Sequence, residues 1–309
     1  MSTPVSPILR TILTTLRRLY PEHLADKAWD NTGLLLAPPP LPSQPSASLK
    51  TPKILLTVDL TTAVATEAIN LNAAMVVTYH PIIFRPLKAL TTDNTQQATL
   101  LRLAQAGISV YSPHTAVDAV RGGVNDWLAS GISGGVDFES SRTTIQPCAG
   151  VQGTEYDGAG YGRLVTLKEP IDIRTVVERV KIFLGLGYLQ VALAKRHALP
   201  QPERDIRTIG VCAGSASSVF KGVKADVLFT GELSHHEALA AKEAGSSVIA
   251  CFHSNTERGF LPIIREQLLR FLPTVWEEVV ENVGSDEMLD VEGWEVWVSE
   301  GDKDPYDIV

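Results

Sequence analysis

The strongest constraint on the fold is an order of strands and helices that occurs twice in the chain. In the first half, three apolar strands alternate with two helical segments, in the order 54–59, 61–71, 75–78, 94–106 and 108–111. The second half has the same alternation, in the order 209–212, 215–223, 227–230, 236–244 and 248–251. Continuous apolar strands separated by helices are typical of parallel sheets covered on both faces. The chain is therefore predicted to contain two βαβαβ units.

The two units predict an α/β fold with two similar lobes. Right-handed crossovers bring the C-terminal ends of parallel strands to one edge of a sheet, where open α/β sheets bind ligands. We place the first lobe at 1–130 and the second at 131–309, with the boundary loop at about 131–162 and the C-terminal tail free to pack on the first lobe. The simplest assembly has two lobes whose sheet edges face each other across a metal-containing cleft.

Five of the seven histidines follow predicted strands. They are His80, His114, His235, His236 and His253. Two of the five are each followed four residues later by a carboxylate, in the pairs His114/Asp118 and His253/Glu257. On a helix this spacing puts both groups on one face, within reach of a shared cation. Histidines and carboxylates gathered at strand ends indicate a metalloprotein.

Several of these residues have a second interpretation. His114 either binds metal or orients a ligand carboxylate without touching the ion. Asp118 alone could cap a helix, and for Asp59, at the end of the first strand, capping is the preferred role. Among the residues after the strand at 227–230, Glu232 is the candidate general base and His235 a candidate substrate contact. His236 opens an apolar helix and is expected to be structural.

Composition excludes several classes of protein. A net charge of −8, with no Lys/Arg cluster, disfavours direct binding to nucleic acid. No apolar stretch has the length of a transmembrane helix, so no membrane partner is expected. The three cysteines are odd in number and widely spaced, which predicts neither a disulfide framework nor a thiolate zinc site. His23 and His197 lie outside the motifs and are expected to be solvated.

The expected location is the cytoplasm, and the alternative is the mitochondrion. Residues 1–20 contain three arginines and no acidic residue, which is the composition of a mitochondrial presequence. The same segment has apolar residues at helical spacing, among them Ile8, Ile12 and Leu16. Such a face is also typical of a helix that packs on its own domain, and we favour that interpretation.

Six short motifs span essentially the whole chain. They are WDNTGLL at 29–35, TYHPIIFRP at 78–86, HTAVD at 114–118, GELSHH at 231–236, HSNTE at 253–257 and VSEGDKDP at 298–305. Together, and in this order, they resemble the NGG-one-interacting factor three family, whose members are often labelled homologues of a type 2 GTP cyclohydrolase I. The resemblance implies two interlaced α/β lobes, a dinuclear divalent-metal site and a toroidal homohexamer.

The resemblance also implies roles for particular residues. The metal ligands that it implies are His80, Asp118, His253 and Glu257. A ligand contact for Asp30 or Asn31 rests on the resemblance alone, since the sequence around them also has turn chemistry. Many members have a second histidine where this chain has Tyr79, and a phenol with a pKa near 10 is a poor ligand at neutral pH. Tyr79 is therefore expected beside the metals, with one nitrogen ligand fewer for the second ion.

The predicted function is that of a metal-dependent hydrolase with an unidentified substrate. Two divalent ions, of zinc, manganese, iron, cobalt or nickel, suit nitrogen and oxygen ligands and can activate water between them. The alternatives are a non-enzymatic protein that buffers or delivers metal, and a scaffold or transcription adaptor with a protein partner, as the family name suggests. A metal site alone does not establish a reaction.

Overall fold

The computed structural model describes residues 6–39, 50–198, 204–281 and 291–308. Its strands are, in chain order, β1 (Gly33–Leu36), β2 (Lys53–Thr57), β3 (Met75–Thr78), β4 (Ser109–Ser112), β5 (Glu139–Pro147), β6 (Gly160–Ile171), β7 (Gln190–Ala192), β8 (Ile206–Ser215), β9 (Val227–Glu232), β10 (Ser247–Ala250) and β11 (Glu295–Val298). Its α-helices are α1 (Pro7–Leu19), α2 (Thr62–Leu71), α3 (Thr95–Gln105), α4 (Thr115–Ala119), α5 (Val124–Ser133), α6 (Ile173–Leu184), α7 (His235–Glu243) and α8 (Leu261–Glu281). The described part of the chain contains no helix that is long and apolar enough to cross a membrane.

The chain forms two compact units. The first unit comprises residues 1–116 and 261–309, and the second comprises residues 117–260. This division differs from the predicted lobes at 1–130 and 131–309, because α5 packs on β6, β8 and α6 and so belongs to the second unit. The C-terminal tail belongs to the first unit, where β11 pairs with β2.

The first unit is built on a five-stranded sheet in the order β1-β4-β3-β2-β11. The four strands β4, β3, β2 and β11 are parallel, and β1 is antiparallel to β4. The first βαβαβ unit is confirmed, with bounds within two residues of the prediction. Helices α2 and α3 pack against each other, and apolar residues of both are buried with those of β2 to β4.

Helix α1 buries the apolar face that the sequence predicts. Ile8, Ile12 and Leu16 are all buried, and α1 packs against α8. Ser6 caps the helix by accepting a hydrogen bond from the Leu9 amide, and Arg17 and Arg18 lie in the last turn, where a helix favours positive charge. The amphipathic pattern of this segment therefore serves packing within the first unit.

The second unit is built on a six-stranded sheet in the order β5-β6-β8-β9-β10-β7. Strands β8, β9 and β10 are parallel, whereas β5, β6 and β7 are antiparallel to their neighbours. The mixed α/β class is confirmed, and the strands of the two predicted units, β2 to β4 and β8 to β10, are parallel, but each sheet also contains antiparallel strands. Antiparallel hairpins and edge strands complete the two sheets.

The predicted helix at 215–223 is also wrong. The segment forms turns that end at Gly222, whose φ of +77° lies in the left-handed region. Three of the residues, Ser215, Ser217 and Ser218, are serines, which favour turns because their hydroxyl groups compete for backbone hydrogen bonds. The crossover between β8 and β9 is therefore made by turns.

Candidate functional site

A first carboxylate–histidine pair lies at the ends of β2 and β3. The two strands are parallel neighbours, and the His80 amide donates to the Val58 carbonyl over 3.0 Å just beyond them. The Nδ1 atom of His80 is 2.9 Å from Oδ1 of Asp59. The prediction that Asp59 caps a helix is wrong, because the N-cap of α2 is Thr61, whose hydroxyl accepts a hydrogen bond from the Val64 amide.

A second pair, also in the first unit, joins His114 to Asp30. The two are linked by a 2.6 Å contact between Nδ1 and Oδ1. The other carboxylate oxygen accepts hydrogen bonds from the Thr115 hydroxyl and, over 3.3 Å, from the Thr115 amide. Burial acts to raise the pKa of Asp30, but its bonds to His114, Thr115 and the Asn31 amide outweigh burial and hold that pKa below its ordinary value. Asp30 is thus a fixed negative charge.

The third pair lies in the second unit, at the ends of β9 and β10. The Nδ1 atom of His253 is 2.9 Å from Oε1 of Glu232, and its Nε2 atom is 3.3 Å from Oε1 of Glu257. Glu257 is buried, at 3% exposure. His253 and Glu257 lie close together, as their spacing predicts, but the residues between them form a short 3-10 helix over Ser254–Thr256.

All three histidines use Nδ1 for the carboxylate. An ionised carboxylate only accepts hydrogen bonds, so Nδ1 carries a proton in each of the three pairs. Carboxylate–histidine pairs of this kind set the tautomer and ring orientation of metal-binding histidines. The spacing from Asp59 to His80 equals the spacing from Glu232 to His253, at 21 residues. In both cases the carboxylate follows one strand and the histidine follows the next.

The predicted helical pairing of His114 with Asp118 is wrong. His114 precedes α4 and has a φ of +33°, so it does not lie on the face of that helix. Asp118 is held within the second unit, where its carbonyl accepts from the Asn125 side chain over 3.0 Å. The side-chain oxygen of Asn125 accepts a hydrogen bond from the Ala213 backbone amide over 2.9 Å. Asn125 thereby ties the backbone at Asp118 to the end of β8.

Asp118 and Glu257 act on a common neighbour in the second unit. Burial raises the pKa of the Cys212 thiol, and the negative charges of Asp118 and then Glu257 raise it further, against an opposing effect of Arg163. Both carboxylates therefore lie within electrostatic reach of one buried side chain. Because its pKa is raised, Cys212 stays a neutral thiol and is a poor metal ligand.

Two glycines make room around His253, and sequence reasoning missed both. A methyl group on Gly214, whose φ is +60°, would lie 2.8 Å from His253 Nε2 and 2.9 Å from Glu257 Oε1. One on Gly231 would lie 2.8 Å from the His253 Cα atom. Each glycine lies at or near the end of a predicted strand, and that was the only signal in the sequence.

Tyr79 lies between the histidines of the first unit. It is buried, and its ring meets those of His80 and His114 edge-on, with centroid distances of 5.5 and 6.2 Å. Asn31 donates its side-chain amide to the Ile83 carbonyl, which ties the loop before β1 to the loop after β3. Tyr79, His114, Asp30 and Asn31 thus all belong to the first unit.

The remaining histidines have other surroundings. His235 and His236 begin α7, which is capped by Ser234 and Glu237. The helix buries none of its residues, so the expectation that His236 has a structural role is wrong. His23 is exposed, as expected. The expectation that His197 is solvated is wrong, because it is fully buried, with Nδ1 2.7 Å from the Ser247 hydroxyl and Nε2 3.1 Å from Asp205.

A groove of about 800 Å³ in the second unit is lined by different residues. Its two inner arginines are fully engaged. Arg163 binds Asp126 through two hydrogen bonds and the carbonyls of residues 120, 160 and 162 through the rest, and Arg142 binds Glu139 and Asp126. Guanidinium groups used in this way hold the fold together, so neither Arg142 nor Arg163 is a candidate for binding an anion.

Comparison with known proteins places this geometry in context. Residues 7–286 match the family model described as Duf34/NIF3 (NGG1p interacting factor 3). The chain is 46% identical over 267 residues to NGG1-interacting factor 3 of Saccharomyces cerevisiae, which covers 85% of this chain and 90% of the relative. It is 49% identical over 252 residues to the NIF3 homolog of Schizosaccharomyces pombe, which covers 81% and 85%.

Solved structures share the fold at lower identity. A Bacillus cereus protein related to NIF3 aligns with a TM-score of 0.70 and 20% identity, over 97% of this chain and 98% of that one. Reduced HcgD from Methanocaldococcus jannaschii aligns with a TM-score of 0.67 and 22% identity, over 94% and 97%. At these identities the likeness concerns the fold alone.

Proposed function

This chain belongs to the Duf34/NIF3 (NGG1p interacting factor 3) family, and from that premise we propose that it binds divalent metal ions and uses them in hydrolysis. The proposed ligands are His80, Asp118, His253 and Glu257. The proposal is supported by the candidate metal-binding group of His80, His253 and Glu257. It is carried by the histidine–carboxylate pairs, in each of which a carboxylate contacts Nδ1 and fixes the orientation of the imidazole ring.

The spacing of one donor pair fits a metal ion. Ligand atoms about 2.0–2.2 Å from an ion, at angles between a right angle and the tetrahedral angle, are roughly 2.8–3.6 Å apart. The Nε2 atom of His253 and Oε1 of Glu257 are 3.3 Å apart. No sulfur ligand is needed, so the donor set suits zinc, manganese, iron, cobalt or nickel. We propose two such ions, with Tyr79 in place of a nitrogen ligand for the second.

The residues of the chain would divide the work of a hydrolase as follows. A divalent cation bound here would supply a Lewis acid that polarises the substrate and lowers the pKa of water. Asp59 and Glu232 hold the two ligand histidines in position. Glu232 is more than half exposed while it contacts His253, so water can reach its side chain. Glu232 is therefore the proposed general base as well as a positioning residue.

Elemental analysis of protein purified without added metal tests the binding proposal. Bound transition metal is expected, and Asp118→Ala is expected to lower the metal content because it removes a carboxylate ligand. His23→Ala is the matched control, since His23 is exposed and outside the proposed site. Equal metal content in the two variants would remove Asp118 from the ligand set.

A substrate screen of the same metal-loaded samples tests hydrolysis. On any substrate that is found, Glu232→Gln is expected to lower turnover per bound metal by about 10²–10⁴-fold, the usual contribution of a positioned acid or base. An unchanged value would show that Glu232 is not the base. A broad screen without turnover at full metal loading would refute the hydrolase and leave a metal-binding protein. The proposed toroidal hexamer is tested separately by light scattering.

A further inference from the structure

Two large aromatic side chains of the first unit are half exposed beside the histidine pairs. Trp29 is 52% exposed and Phe84 is 47% exposed. Their ring centroids are 5.9 Å apart, and the ring planes are inclined by 47°. The Trp29 ring meets His114 edge-on at 5.7 Å, and His114 in turn meets His80 at 5.5 Å. Trp29 and Phe84 are therefore connected through ring contacts with His114 to His80, a candidate metal ligand.

These rings are held in place by hydrogen bonds of their own loops. The indole N–H of Trp29 donates to Asp26 over 2.9 Å, and the Asp30 amide donates to the Asp26 carbonyl over 3.0 Å. Asn31 ties this loop to Ile83, the residue before Phe84. Since the indole N–H already has a partner, the part of Trp29 that remains for a ligand is the face of the ring.

We propose that Trp29 and Phe84 form a platform on which a planar nitrogen heterocycle stacks, with its polar edge toward His80. This names the substrate class of the metal site and rests on the proposed function. The inclined rings leave no slot between them, so one ring of the ligand stacks on an outer face. Asp59, whose side chain is 40% exposed beside His80, provides an acceptor for an amino or amide N–H group at the edge of the heterocycle. Ligand pockets combine apolar surface with a few polar groups in this way.

Binding of two planar probes, adenosine and nicotinamide, tests the platform, with ribose as the control that lacks an aromatic ring. Trp29→Ala is expected to weaken probe binding in calorimetry by about 5–150-fold, which corresponds to the roughly 1–3 kcal/mol measured for stacking of a base on an aromatic side chain. Trp29→Phe should retain part of the affinity, because a smaller ring still stacks. Ribose should not bind.

Trp297 provides a matched control for Trp29. It is 49% exposed, and its indole N–H also donates to a carboxylate, that of Glu295, over 2.9 Å. Trp297→Ala should leave probe affinity unchanged. In protein labelled with 5-fluorotryptophan, the probes should shift the ¹⁹F signal that disappears in Trp29→Phe, and not the signal of Trp297. An equal loss of affinity in the two alanine variants would overturn the proposal.

Metal content and molar mass, measured on the same samples, separate the two proposals. Absence of probe binding to wild-type protein with normal metal content would overturn the platform and leave the metal site standing. Probe binding that depends on Trp29 in protein that takes up no metal would support the platform and refute the metal site. A change of molar mass in Trp29→Ala would identify the rings as a contact between copies of the chain and overturn the platform.

Discussion

Replacement of Gly214 by alanine is the sharpest test of the geometry around His253. With a φ of +60°, alanine at this position costs about 1–2 kcal/mol of folding free energy in backbone strain. Its methyl group would lie 2.8 Å from His253 Nε2 and 2.9 Å from Glu257 Oε1. Those distances are roughly 0.5–1 Å shorter than an ordinary contact, so the two ligand atoms must move. We expect metal affinity to fall by about 10–100-fold, as for other changes that misplace metal ligands.

Gly222→Ala is the control for the stability that is lost through backbone strain alone. Gly222 has a φ of +77°, and a methyl group there would have no heavy atom within 4 Å. Gly222→Ala should therefore lose only the stability that the backbone strain costs in urea unfolding, whereas Gly214→Ala should lose more stability, because of its close contacts, and should also lose metal affinity.

The assay is calorimetric titration of metal-free protein with Zn²⁺. The same dissociation constant in both variants would show that His253 Nε2 and Glu257 Oε1 do not face the metal. The positions of the other two carboxylate–histidine pairs would then need a different explanation.

Two further predictions concern the stability of the second unit. Asp126→Asn should destabilise the protein by about 3–5 kcal/mol in urea unfolding, because it leaves the buried guanidinium of Arg163 without its charge partner. The control is Glu278→Gln, which breaks an exposed ion pair with Arg18 and should cause no measurable change. Equal losses of stability in the two variants would contradict this interpretation. Burial lowers the pKa of His197 in the folded protein, so the unfolded chain binds the proton more readily. The free energy of unfolding should therefore rise with pH from the folded-state pKa up to the ordinary histidine pKa of about 6.5, and level off above it. His197→Gln should weaken that rise, and an unaltered pH profile of the urea midpoint would refute the assignment.

The order of strands and helices in the first unit was determined by the sequence. Continuous apolar runs such as Met75–Thr78 are fully buried strands, and the polar residues after them lie at the sheet edge, as the pattern predicts. The turns at 215–223 and strand β11 were not predictable in this way. A short helix and a series of turns have similar local preferences, and the position of β11 depends on pairing with a strand more than two hundred residues earlier.

The candidate ligands were also accessible from the sequence, because the histidines lie at or near predicted strand ends, two of them four residues before a carboxylate. The partner of each histidine was decided only by the tertiary structure. Asp59, Asp30 and Glu232 reach Nδ1 of His80, His114 and His253 across separations of 21, 84 and 21 residues. The requirement for glycine at Gly214 likewise became visible only in the tertiary structure, where the residue lies close to His253. Hydrogen bonds and close contacts of this kind depend on which strand ends become neighbours, and local propensity carries no information about that.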